Sequence, residues 1–157
     1  MAINAQLQNM ISFTQSRVAF CHHATLAIAQ FGRTGRIAVP SVNAAQSFGV
    51  YLQVLSRSNS PYDHKTAIPP HLYDIFAFVP PGRELIAHTA IVVDEDPGEV
   101  KVAECNNLVM EVQVNPLGKV LGRFRSFYPV LMQFSQPEVS LSLLFVDIAF
   151  RDSEIRF

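Results

Sequence analysis

Among two cysteines and five histidines, Cys21 and His88 stand where side chains of their type do chemistry. Cys21 opens a stretch of helical period. There the unpaired N–H groups of the first turn and the positive end of the helix dipole stabilise a thiolate and bring its pKa below the ~8.5 of a free cysteine. A thiol so placed is a candidate nucleophile; the alternative is a small, inert, buried apolar residue. His88 begins the run His88-Thr89-Ala90-Ile91-Val92-Val93, in which a polar ring needs a hydrogen-bond partner. The turn cluster Asp94-Glu95-Asp96-Pro97-Gly98 then folds the following strand back, bringing Glu104 and Asn106 to the end of the pair where His88 lies. Side chains alternate along a strand, so Glu104 and Asn106 share a face and Cys105 points to the other. Either Glu104 or Asn106 can accept one imidazole N–H, fixing the tautomer and leaving the second nitrogen for the thiol. A turn symmetric about Asp96 sets Glu104 opposite His88 and favours the carboxylate. Nucleophile, base and orienting group are recognised by role. Cys105 is expected in the core, without a catalytic part.

The elements that must position these groups follow from periodicity. Ile3, Leu7, Met10, Ile11 and Thr14 step by three and four residues, and Ala24, Ala27, Ile28 and Phe31 do so within a helix over 21–31 that Gly32 is expected to stop. A third helix starts after Pro40 with Ser41 as N-cap and carries Ala44, Ala45, Phe48, Tyr51, Leu52 and Leu55 to about Ser56. Residues 57–70 read as a surface loop. Strands are predicted over 74–79, 87–93, 100–105, 108–114, 122–130 and 140–150, separated by clusters such as Pro80-Pro81-Gly82. Helices followed by an antiparallel meander specify an α+β fold, N-terminal helices packed on an antiparallel sheet. The 157 residues fit one domain, 1–157.

Composition excludes several classes. Hydrophobic residues make up 49% and charged ones 16%, enough for a core and too little charge for a disordered chain. Twelve Lys and Arg against thirteen Asp and Glu give a net charge of −1, with no basic run, so a nucleic-acid partner is not expected. No apolar run reaches the ~20 residues of a membrane span. The N-terminus lacks the basic and apolar regions of a secretory signal, so the chain is expected to be cytoplasmic when made, with release by lysis or injection by a contact-dependent secretion machine as its routes outward. Adjacent His22 and His23 cannot converge on one ion, and no Cys-x-x-Cys or His-x-x-x-His spacing occurs, so neither a metal nor another cofactor is expected.

Four segments, in order, resemble a known group: Phe20-Cys21 before an apolar helix, Tyr73-Asp74-Ile75-Phe76-Ala77-Phe78, His88-Thr89-Ala90-Ile91-Val92, and Ala103-Glu104-Cys105-Asn106. They are similar to the aromatic-Cys helix start, Gly-Asp-aliphatic strand, Gly-His-apolar strand and Glu-x-Asn strand of the CHAP family (cysteine, histidine-dependent amidohydrolases/peptidases), relatives of the NlpC-type cell-wall peptidases. The resemblance spans residues 20–107. Tyr73 and Ala87 stand where the family has Gly, and no Asp precedes Cys21 as in the NlpC branch. The resemblance implies a papain-like fold, with Cys21 as nucleophile, His88 as base, Glu104 as orienting residue and Asn106 as supporting polar residue. It further implies a peptide or peptidoglycan substrate, cleavage of amide bonds in bacterial cell-wall peptides, and an inhibitor or immunity protein as partner.

The oxyanion of such a reaction would be held by the Cys21 backbone N–H, with Gln15, Ser16 and the His22 ring as candidates for a second donor. Asp74 at a strand start reads as a turn acceptor. Two other readings use the same residues. One is a protein glutamine deamidase or transglutaminase-like toxin. The other is a non-catalytic binding domain in which Cys21 and His88 belong to the core.

Overall fold

A computed structural model describes residues 3–57, 61–63, 69–82, 85–106, 111–136 and 139. Helix α1 (Ala5–Thr14) is capped by Asn4, whose side chain accepts the N–H groups of Gln6 and Leu7. It buries Leu7, Met10, Ile11 and Thr14, the predicted stripe. Helix α2 (Cys21–Thr34) is buried almost all round from Cys21 to Phe31; Ala24, Ala27 and Ala29 let its neighbours come close. Helix α3 (Val42–Arg57) begins after Ser41, whose Oγ accepts the Ala44 N–H at 3.1 Å.

Gly32 does not end α2. The helix runs to a left-handed Gly35, φ 72°, whose N–H bonds the Phe31 carbonyl. Gly32 is inside because a Cβ there would meet the Tyr73 ring at 2.7 Å. It is a contact glycine, and the local sequence gives no means of telling it from a stop.

Strands β1 (Ile75–Val79), β2 (His88–Asp94), β3 (Lys101–Asn106), β4 (Glu111–Pro116) and β5 (Tyr128–Met132) form an antiparallel sheet in the order β4-β3-β2-β1-β5. Only the first four strands follow the predicted meander, because β5 returns to pair with β1. The segment predicted as a strand over 122–130 is divided. Its first part belongs to helix α4 (Leu117–Arg123), and β5 starts at Tyr128. The predicted strand over 140–150 lies outside the described residues.

Alternation along the strands sorts the core into two layers. Ile75, Ala77, Val79, Ile91, Val93, Ala103 and Cys105 face the first three helices. Phe76, Phe78, Ala90, Val92 and Val102 face the other way and are covered by Leu117 and Val120 of α4. Helices therefore lie on both faces, not only on the N-terminal side. Tyr73, just before β1, has φ 70°, a left-handed backbone that a bulky residue adopts at a cost of ~1 kcal/mol or more. Its N–H bonds Val92 O, and its ring packs on Gly32 and on Phe134.

Candidate active site

Cys21 is the first residue of α2, 4% exposed, with Phe20 as an N-cap that offers no side-chain bond. The His23 N–H bonds Phe20 O at 3.1 Å, so only the N–H groups of Cys21 and His22 can face the helix entrance. His88 is the first residue of β2, 5% exposed. Its Nε2 lies 2.7 Å from Oε1 of Glu104, which leaves Nδ1 as the nitrogen for the thiol. Phe124 stacks on the imidazole, with centroids 4.9 Å apart and an interplanar angle of 14°, and in turn stacks on Phe78.

The register differs from a turn symmetric about Asp96. Ile91 pairs with Ala103 and Val92 with Val102, while Asp94 pairs with Lys101, so β2 bulges between Val92 and Asp94. Continuing that ladder sets Ala90, not His88, level with Glu104. The imidazole reaches the carboxylate diagonally, a separation that long side chains on one face can span. Turn and bulge together move the pairing by two in the sum of partner numbers, from 192 for the symmetric turn to 194, so parity is kept and the partner survives the change.

Glu104 is fully buried and is held by more than His88. Asn115 on β4 donates Nδ2–H to its Oε2 at 2.8 Å, and Arg123 at the end of α4 donates to Oε1. The sequence reading missed both residues. Asn115 carried a signal: Glu104 pairs with Gln113, so a polar residue two places on shares the Glu104 face. Arg123 carried none, since it arrives on the misread helix. Asn106 ends β3 half-buried, opposite Glu111.

The electrostatics form a chain. Burial pushes the Cys21 thiol up, but hydrogen bonds and charge from His22 and His88 outweigh it and lower its pKa from 9.0 to about 5. Burial disfavours the His88 imidazolium, and its hydrogen bonds with Cys21 and Glu104 reverse that, raising it above 6.5. Glu104 also pays desolvation, and its bonds with His88, Arg123 and Asn115 bring it from 4.5 to about 2. Above about pH 5 the lowered Cys21 and Glu104 favour a thiolate on one side of the imidazole and a carboxylate on the other, and both in turn favour the charged ring.

The remaining polar candidates separate clearly. His22 Nδ1 lies 3.6 Å from Cys21 Sγ and 2.9 Å from Thr89 Oγ1. His23 turns elsewhere: Nδ1 accepts the Ala19 N–H and Nε2–H donates to Pro40 O at 2.6 Å, a structural tie. Gln15 is not at the site, because its amide brackets the backbone of Val112 on both sides. Ser16 is exposed at φ 64°. Asp74 accepts N–H groups from His71 and Phe134 and so ties β1 to the segment after β5. Cys105 is fully buried in the helix-side core, its thiol pushed up by burial and by the charges of Cys21 and Glu104. Among the described residues no three of His, Cys, Asp and Glu gather as a metal site, and no helix is long and apolar enough to cross a membrane.

Fold and site together define a class in structural terms: an α+β domain with a buried Cys-His-Glu line between a helix start and an antiparallel sheet. Compared with known proteins, the chain matches no family model, no curated protein and no solved structure.

Proposed function

We propose that this chain is a papain-like cysteine hydrolase that cleaves amide bonds through a Cys21 thiolate and a His88 acid-base group. The observation that carries the reading is the fully buried Glu104, bonded at once to His88, Asn115 and Arg123. A buried carboxylate costs several kcal/mol to desolvate, and here it holds an imidazolium beside a thiol whose pKa is about 5. Inert core residues require no such arrangement.

In the reaction, Cys21 Sγ attacks the substrate carbonyl and the Cys21 backbone N–H faces the developing oxyanion. His88 passes its proton to the leaving amine, and the neutral ring then takes a proton from the water that releases the acyl group. Glu104 holds the ring through both steps and keeps its charge. The resemblance to the CHAP family favours bacterial cell-wall peptides as substrate.

The test compares purified cell-wall fragments with a panel of proteins, following new amino termini in the first arm and ammonia in the second. New termini that disappear with Cys21→Ala support the amidase. Ammonia release that disappears with the same change moves the chemistry to glutamine deamidation on the same residues. Activity retained in Cys21→Ala removes the thiol from the mechanism.

A further inference from the structure

His22 contacts the same sulfur as His88 from a different direction, and its ring is fixed on three sides. Phe20 meets it edge-on, with centroids 6.0 Å apart and an interplanar angle of 85°. On α3, Gly49 leaves room that a Cβ would close to 3.0 Å from Cδ2. On β2, Thr89 Oγ1 lies 2.9 Å from Nδ1 and 3.0 Å from Thr25 Oγ1. Thr89 faces the helix layer because it follows His88 by one, and strand parity sends the two side chains to opposite faces.

A hydroxyl has one proton to give and two lone pairs to receive with. If Thr89 donated to Nδ1, two lone pairs, those of Nδ1 and the thiolate, would face each other across 3.6 Å. The opposite sense leaves no conflict: Thr89 donates to Thr25 and accepts from His22. We propose that His22 is a positioning residue for the nucleophile, sharing one Nδ1–H between Cys21 Sγ and Thr89 Oγ1. It supports the resting thiolate, and as the sulfur is acylated and loses its charge the N–H passes to Thr89 without losing its acceptor. The proposal rests on the reading of Cys21 as nucleophile.

The groups that bear on the sulfur, directly or through His88, come from four elements: His22 on α2, His88 on β2, Glu104 and Cys105 on β3, and Arg123 on α4. His23 is tied to Ala19 and Pro40 and turned away. The experiment therefore reads Cys21 alone, as the pH profile of its alkylation by iodoacetamide, resolved by peptide mass so that Cys105 does not contribute. No substrate is required. His22→Leu removes the donor and should move the midpoint up by about one pH unit, about tenfold slower alkylation below it. His22→Asn, which returns an N–H near the Nδ1 position, should restore most of that loss. A profile unmoved by Leu, or moved equally by Leu and Asn, overturns the proposal. If His22→Leu does not fold, Thr89→Val decides: the N–H is then given to sulfur alone and the midpoint should fall, whereas a midpoint that stays or rises overturns the proposal. A shift in His88→Ala with none in His22→Leu leaves the catalytic reading standing without this one. A midpoint near 9 in the unaltered protein removes both.

Discussion

Glu104→Gln keeps the shape of the side chain and removes its charge, which tests what holds the site together. A carboxyl kept at about 2 instead of 4.5 carries a linkage free energy of about 3 kcal/mol. The amide retains some hydrogen bonds, but it leaves Arg123 and the His88 imidazolium close together without a counter-charge, and breaking a buried pair commonly costs ~3–5 kcal/mol. The variant should thus be less stable by about 3 kcal/mol at pH 7. Because the folded pKa is depressed, the contribution is complete above pH 4.5 and is lost as pH falls toward 2. Urea unfolding of both proteins at steps from pH 7 downward should show a constant gap to about pH 5 that then closes. His88 also loses one of the bonds that raise it, so the thiolate loses part of its support and Cys21 alkylation at pH 6 should slow. A gap under about 1 kcal/mol at pH 7, or one that does not change with pH, would refute the argument that charge at Glu104 stabilises the site.

Cys105→Ala removes a sulfur from a fully buried position in the helix-side core and should cost about 1–2 kcal/mol by thermal unfolding while leaving hydrolysis unchanged. Gly32→Ala drives a methyl to 2.7 Å from the Tyr73 ring and should destabilise by about 1–3 kcal/mol, although in an ordinary helix interior the same change stabilises. Asn106→Ala should lower the rate less than Glu104→Gln when the pH profiles of the two variants are compared, since the contact at 2.7 Å to the imidazole is made by Glu104; the reverse order would return the orienting role to Asn106.

Strands and helices whose boundaries carry their own chemistry were legible. Ser41 caps α3, the Asp94 to Gly98 cluster turns β2 into β3, and the alternation from His88 to Val93 set which residues share a face. Helix α4 was not legible, because seven residues with two glycines, Gly118 and Gly122, have little helix propensity of their own. What holds it is Leu117 and Val120 docked on Phe76 and Phe78, which is information spread across the fold. The site shows the same division. Cys21, His88 and Glu104 lie within elements that could be placed by period and parity. Asn115 and Arg123 reach Glu104 only after β4 and α4 have packed, and the bulge at Val93 cannot be read from a turn that admits several lengths.

The thiol and its imidazole belong to different layers. Cys21 rides on α2 over one face of the sheet, and His88 projects among Phe78 and Phe124 on the other, the two meeting around the start of β2. The helix layer supplies His22 and the helix start, and only the sheet supplies His88. A form in which the helices have formed but have not docked would keep its far-UV circular dichroism and yet hold a less activated thiol, with His22 beside it and His88 out of reach. The rate at which Cys21 captures an electrophile is therefore a built-in clock for interlayer docking, able to time the last step of folding in a chain without tryptophan.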